Sequence, residues 1–244
     1  MANGNRKNSH KLRSLKYVKR LAENGLQWST WYDRAIGEID DICRLENWDK
    51  QHFTSVLAIL SPRVSVRRNC RSALLYCGQE QAFFANTLPN VKTSLATYLR
   101  SGIVGGNKVP YFRNALLGDS ESVTLDTWMA YALLAVESPH IKYFTRKNTF
   151  YAARKLVCKV GQAFDLSPRD SQAAIWCGMF LESGQLPQFF PLWAEYQNWI
   201  AHKKRFPLVG TIGDHSEPVD EFRVDELLTV DDTSFDVESF ANEF

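Results

Sequence analysis

Apolar side chains recur every three or four residues along almost the whole chain, and no other feature limits so strongly what it can fold into. Trp31, Ala35, Ile39 and Ile42 form one such stripe, and Phe53, Val56, Leu57 and Leu60 form another. Convincing paired strands are absent from the pattern, so the expected fold class is all-α. Helix starts can be placed by their chemistry. Ser29 or Thr30 can cap a helix running to about residue 45, and Asp49 can cap the next. Ser167-Pro168-Arg169-Asp170 supplies a capping serine, a proline at the first helical position and an acid three residues after the cap.

At 244 residues the chain can bury a substantial core, in one large domain or two small ones. Five cysteines, odd in number and without C-x-x-C spacing, favour neither a zinc site nor a disulfide framework. Reduced thiols in a cytoplasmic protein are expected instead. His52, His140 and His202 are isolated from one another, so no metal site is expected either. No stretch approaches roughly eighteen consecutive apolar residues, and no apolar run follows the basic start, so neither a membrane span nor a signal peptide is expected.

The net charge of +2 hides a division. Residues 211–244 hold eleven Asp or Glu against one Arg, a net of −10, which leaves +12 on residues 1–210. A basic body suits a polyanion such as DNA, because each neutralised phosphate releases counterions; ordinary solubility charge is the plain alternative. The pattern divides into a basic N-terminal segment at 1–27, a helical domain at 28–204 and an acidic tail at 205–244. The tail reads as flexible or loosely docked. A sharper alternative is that it imitates DNA charge and folds over the basic surface.

The stretch RSGIVGGNKVPYFRNALLG, residues 100–118, reads as helix, hairpin, helix. Gly102 is placed to stop the first helix, Gly105 and Gly106 permit positive φ in a tight turn, and Pro110 is acceptable only in the first turn of the next. Backbone N–H groups at such a turn can hold a phosphate. Lys108 falls at the positive end of the second helix, whose dipole disfavours the ammonium and helps supply neutral amine, the form that attacks. A helix of about ten residues, a turn at Gly118-Asp119-Ser120 and the segment Val123-Thr124-Leu125-Asp126 then carry the chain back, so Asp126 is expected near Lys108. The plain alternatives are a phosphate contact for Lys108 and an N-cap for Asp126.

This arrangement resembles the helix-hairpin-helix superfamily of DNA glycosylases, with Gly106 in the hairpin, Lys108 at the lysine position and Leu125-Asp126-Thr127-Trp128 at the segment of the essential aspartate. Residues 28 to about 180 also resemble a group of phage and bacterial proteins through Trp31-Tyr32, Leu60-Ser61-Pro62-Arg63, Asn69, Gly106, Lys108, Asn114, Gly118, Val123-Thr124, Asp126 and Trp128. One hairpin glycine is displaced from the usual place, Trp128 stands where histidine is usual, and the four-cysteine iron–sulfur motif of some members is missing. No iron–sulfur cluster is therefore expected, while a monovalent cation at the hairpin is compatible with the resemblance.

The resemblance implies a glycosylase-like helical fold and excision of a damaged or modified base, phage hypermodified bases included, from double-stranded DNA, in repair or in anti-phage defence. It implies Asp126 as the charge-stabilising or water-orienting group and Lys108 as nucleophile, with AP lyase activity, or as phosphate contact. The expected DNA contacts are Gly105, Gly106, Asn107, Arg113, Arg63 and Arg67. Base extrusion requires a pocket, for which Trp28, Trp31, Tyr32 and Trp128 are candidate walls and Gln27 or Asn69 candidate readers of a base edge. A non-catalytic DNA-binding module and a phage base-hypermodification enzyme are the alternatives, and a monomer is expected.

Overall fold

The computed structural model describes residues 11–79, 88–136 and 138–205. Ten α-helices run through them: α1 Leu15–Asn24, α2 Trp31–Glu46, α3 Lys50–Leu60, α4 Val66–Gln79, α5 Pro89–Ser101, α6 Val109–Leu116, α7 Thr127–Leu133, α8 Lys147–Phe164, α9 Pro168–Glu182 and α10 Leu192–Arg205. Short 3-10 turns at Leu26–Trp28 and Ile141–Thr145 join them. The only extended pairing among the described residues is an isolated antiparallel bridge between Leu12 and Leu134. The chain is thus predominantly helical.

The helix starts follow the expected chemistry at two places. Asp49 accepts a hydrogen bond from the His52 N–H at the start of α3. Ser167 accepts from the Asp170 N–H at 3.1 Å and donates its hydroxyl to the Asp170 carboxylate at 2.6 Å, with Pro168 opening α9. At α2 the cap position belongs to Thr30, but its side chain makes no capping bond.

Burial divides the interior into two clusters. One gathers Ile39, Phe53, Leu57, Leu74, Leu95 and Leu116 from α2 to α6, with Phe190, Leu192 and Trp199 closing over it. The other gathers Leu21 from α1, Met129 and Leu133 from α7, and Val157 and Val160 from α8. Helix α9 belongs to both: Ala173 packs into the first cluster, Ala174 and Ile175 into the second. A helix with apolar or small residues on most of its circumference is a buried one, and α9 is the member that joins the halves.

Helix α1 lies along α9 at a distance only glycine allows. A Cβ on Gly178 would stand 1.8 Å from the Leu21 carbonyl oxygen, and one on Gly25 would stand 2.1 Å from that of Ala174. The described part of the basic segment set apart as residues 1–27 is therefore built into the helical body. Its bridge to Leu134 adds backbone bonds from Arg13 N–H to Leu133 and from Ala135 N–H to Lys11. The acidic tail expected at 205–244 lies outside the described residues apart from Arg205.

Candidate active site

Helix α5 stops at Gly102, whose φ of +71° and N–H bond to the Tyr98 carbonyl make a left-handed cap. Of the two glycines that permit positive φ in the turn, Gly106 takes it, at +95°, and Gly105 does not. Val104 and Val109 pack against the first cluster on either side of the turn, leaving Gly105, Gly106 and Asn107 exposed at its tip. Lys108 occupies the cap position of α6, where no side chain caps the helix, and Pro110 stands in the first turn.

After α6 the chain turns at Gly118, φ +102°, and Asp119 fixes the turn by accepting from Glu121 N–H and Ser122 Oγ. Residues Ser122 to Leu125 are buried and non-helical, with Val123 and Leu125 seated in the second cluster. They deliver Asp126 to the start of α7, where Oδ1 accepts from the Met129 N–H at 2.9 Å. The N-cap alternative is thus realised. It does not exhaust the carboxylate, because Oδ2 accepts from the indole Nε1 of Trp176 on α9 at 3.1 Å. Asp126 is held from two helices.

A chain of neighbouring side chains leads from this aspartate to Lys108. The Lys108 ammonium lies 5.5 Å from the centre of the Phe112 ring, and Phe112 meets Tyr32 at 6.5 Å between ring centres. Tyr32 donates its phenolic hydrogen to Gln172 Oε1 at 2.7 Å and shares a hydroxyl–hydroxyl bond of 3.2 Å with Thr124. Gln172 stands one helical turn before Trp176, on the same face of α9. Trp176 returns to Asp126. This series of side chains draws on both apolar clusters, with Tyr32 and Phe112 from the first and Trp176 packed on the second.

The electrostatics agree with that proximity. Lys108 is only partly buried as a residue, but its ammonium is desolvated enough to lower its pKa from the ordinary lysine value, while the Asp126 charge pulls the other way. Burial raises the Tyr32 phenol, the Thr124 hydrogen bond opposes that, and the negative charge of Asp126 adds to the rise. The phenol stays protonated and acts as a donor.

The other expected site residues divide. Trp128 packs on Phe180 of α9 with ring centres 4.3 Å apart, and Phe180 packs on Trp176 at 4.4 Å, so an aromatic row flanks Asp126. Trp31 adjoins Trp176 at 6.0 Å but is 5% exposed, covered by Phe190, with its indole N–H bonded to the Gln188 carbonyl. Trp28 is packed against Phe189 at 4.2 Å, on whose ring Arg34 also lies. These two tryptophans, read as pocket walls, are faced by the loop between α9 and α10. Tyr32 takes part as a hydrogen-bonding group more than as a wall.

Gln27 is exposed, and Asn69 is buried on α4 with an unpartnered Oδ1; no contact joins either to that series. Arg113, expected at a phosphate, is turned against α3, where it donates to Ser55 and Gln51. Arg67, also expected there, pairs at 3.3 Å with Glu195, a carboxylate on α10 whose side chain is 1% exposed. Arg63 is exposed at φ +59°.

The contribution of α9 was not anticipated, although its start was. Gln172, Trp176 and Phe180 recur at intervals of four behind a well-capped helix start, and that spacing was the available signal.

A family model described as a family of unknown function, DUF7178, matches residues 17–182, a span that includes the hairpin, Asp126 and the whole of α9. No curated protein and no solved structure matches the chain.

Proposed function

The chain belongs to DUF7178, a family of unknown function, and we propose that it is a DNA glycosylase that cuts the N-glycosidic bond of an altered base in duplex DNA. One observation carries the reading: a desolvated lysine at the start of the hairpin's second helix is joined by a series of neighbouring side chains to a carboxylate that two helices hold in place. Cleavage of the bond between C1′ and the base sends the electron pair to the base and leaves positive charge at the sugar. A fixed carboxylate stabilises that charge without having to reorganise. Water then adds at C1′ and gives up a proton. Where Lys108 attacks instead, its lone pair forms a bond to C1′ as the base departs with the glycosidic pair; the nitrogen then loses a proton and the C1′–O4′ bond opens, O4′ taking up a proton, to give the Schiff base that opens the way to strand cleavage. Lowering the lysine pKa by burial increases the fraction of amine with a free lone pair.

The exposed Gly105-Gly106-Asn107 tip suits a phosphate, since main-chain N–H groups at a turn leading into an uncapped helix face outward. The fold reading that accompanies this function is a helix-hairpin-helix glycosylase-like arrangement, with the reactive residues where the two apolar clusters meet.

The test is base release from a panel of duplexes carrying normal, damaged and phage-type modified bases, scored as strand breaks with and without hot alkali. Borohydride is added in parallel to trap a covalent lysine adduct. Alkali-dependent breaks on at least one duplex support the hydrolytic reading. Borohydride trapping that is lost in Lys108→Ala assigns the lyase step to that lysine. Salt-sensitive duplex binding with no abasic sites on any substrate would overturn the enzyme reading in favour of a DNA-binding module.

A further inference from the structure

Residues 88–118, which build α5, the hairpin and α6, carry Lys92, Arg100, Lys108 and Arg113 and no acid. Residues 138–164, which hold the Ile141–Thr145 turn and α8, carry Lys142, Arg146, Lys147, Arg154, Lys155 and Lys159, again with no acid. Charge is sorted between elements: α2 has five acids to two bases, and α8 has four bases to no acid. A surface that serves solubility alone intersperses its signs, and α8 does not.

The cations of α8 stand in a row. Lys147, Tyr151, Lys155 and Lys159 follow one another at intervals of four, and all are exposed, Tyr151 by 59%. Among the described residues the three lysines have no carboxylate partner, whereas Arg154 beside them is taken up by Glu121. From Lys147 to Lys159 the row runs about 18 Å, the length of roughly five nucleotide steps along one strand of a duplex. A tyrosine hydroxyl within such a row is a further donor to phosphate oxygen.

The start of α8 points the same way. Its cap position is Arg146, no side chain caps it, and its first turn holds Lys147 and no acid. Cations there oppose the helix dipole, and the first N–H groups gain no side-chain acceptor. An anion at that end reverses both effects. The row is also continuous with the hairpin. Tyr111 of α6, three residues after Lys108, packs on Phe150 of α8 with ring centres 5.0 Å apart, and Tyr151 lies next to Phe150 with its ring outward. Helix α8 therefore begins beside the helix into which the exposed Gly105-Gly106-Asn107 tip leads.

We infer that the exposed face of α8 is a second phosphate-binding surface, on which Lys147, Lys155 and Lys159, with the uncapped helix start, hold the backbone of duplex DNA. This rests on the DNA reading above and gives that partner a surface in place of Arg113 and Arg67, which are engaged by protein groups. An anionic bilayer is the other extended polyanion, but a helix lying on one turns an apolar face outward. The apolar face of α8, with Phe150, Ala153, Leu156, Val157 and Val160, is spent on the second cluster.

The test is equilibrium binding of the full chain to an unmodified DNA duplex across roughly 50 to 200 mM salt. Wild type is compared with the triple variant Lys147→Gln, Lys155→Gln, Lys159→Gln and with a control of equal charge loss on α2 to α4, Arg44→Gln, Lys50→Gln, Arg68→Gln. Glutamine keeps the helix propensity of lysine, and thermal melts verify that each variant folds. Each phosphate contact contributes about 0.9 to the slope of log affinity against log salt. The α8 variant is expected to lose about two to three from that slope and at least about tenfold in affinity at 100 mM salt, and the control less than about one from the slope. An unchanged slope in the α8 variant, or an equal fall in the control, would overturn the inference and leave the glycosylase reading to the base-release assay. Tighter binding of wild type to vesicles of anionic lipid than to the duplex would overturn it as well. Absence of duplex binding by the wild-type chain would remove both the inference and the DNA reading.

Discussion

Asp126→Asn separates the two roles that this side chain combines. Asparagine is as good an N-cap as aspartate, so its oxygen can keep the Met129 N–H bond of 2.9 Å. The other end of the amide then presents hydrogens to Trp176 Nε1, which now donates to Oδ2 at 3.1 Å. Turning the amide over only moves the conflict to Met129, because one oxygen must serve two donors on opposite sides. One hydrogen bond is lost and one N–H is left facing another. Since the aspartate is only partly buried, the cost falls toward the lower end of the range for an unmet donor, about 1–2 kcal/mol. For a chain of this size that lowers Tm by a few degrees. The charge is lost as well, and with it the stabilisation of a developing cation, for which about 10²–10³-fold in the chemical rate is the expected scale. The assay is single-turnover base release on the best duplex of the panel, with binding to the same duplex and thermal unfolding measured alongside. The expected outcome is a fall in release of at least about 100-fold with duplex affinity retained. Release at the wild-type rate would refute the role of the carboxylate, and an unchanged Tm would refute the two-helix grip on which the estimate rests.

Lys108→Met tests the desolvated amine through pH. Between the lowered folded pKa and the ordinary value of about 10.4, the unfolded chain binds more protons at this site than the folded one, so the lysine makes stability rise with pH. The variant lacks that slope and should be at least as stable as wild type at pH 7, with its advantage shrinking as pH nears 10, read from urea midpoints. Gly178→Ala forces a methyl group onto the Leu21 backbone and should cost about 1–3 kcal/mol or more by overpacking, seen as a clear drop in Tm. At the hairpin, Gly106→Ala should cost about 1–2 kcal/mol through its left-handed backbone. Gly105→Ala, with no positive φ and open space around the added methyl, should stay within about 0.5 kcal/mol in the same melts.

Features that depend on near neighbours in the chain could be read from the letters. The stripe Trp31, Ala35, Ile39, Ile42 is buried, the Ser167 start of α9 is in place, and Gly102 ends α5. The proximity of Lys108 to Asp126 was also accessible, because one helix and one turn join them. What distant segments decide was not. Arg113 on an amphipathic helix looks like a solvent group until α3 offers Ser55 and Gln51 to its fork. Trp28 and Trp31 look like open aromatic walls until Phe189 and Phe190, more than 150 residues later, lie against them. Trp176 gives no local sign that its indole nitrogen will find Asp126, because that bond depends on how α7 and α9 cross.

The backbone contact between Leu21 and Gly178 also sets a timetable. Helix α1, with Val18, Leu21 and Ala22 as its apolar face, leaves the ribosome long before α9, the helix that covers this face, is made. At roughly 5–20 residues per second, the delay between the two is on the order of ten to thirty seconds. Over that interval the hairpin and Asp126 are synthesised while the helix that is to hold the aspartate from its far side does not yet exist. A nascent chain can therefore bring together the α2 to α6 part of its first apolar cluster well before α9 exists, while Phe190, Leu192 and Trp199 close over that cluster later still. On the proposed reading, activity waits for α9, which is made well after the hairpin and Asp126.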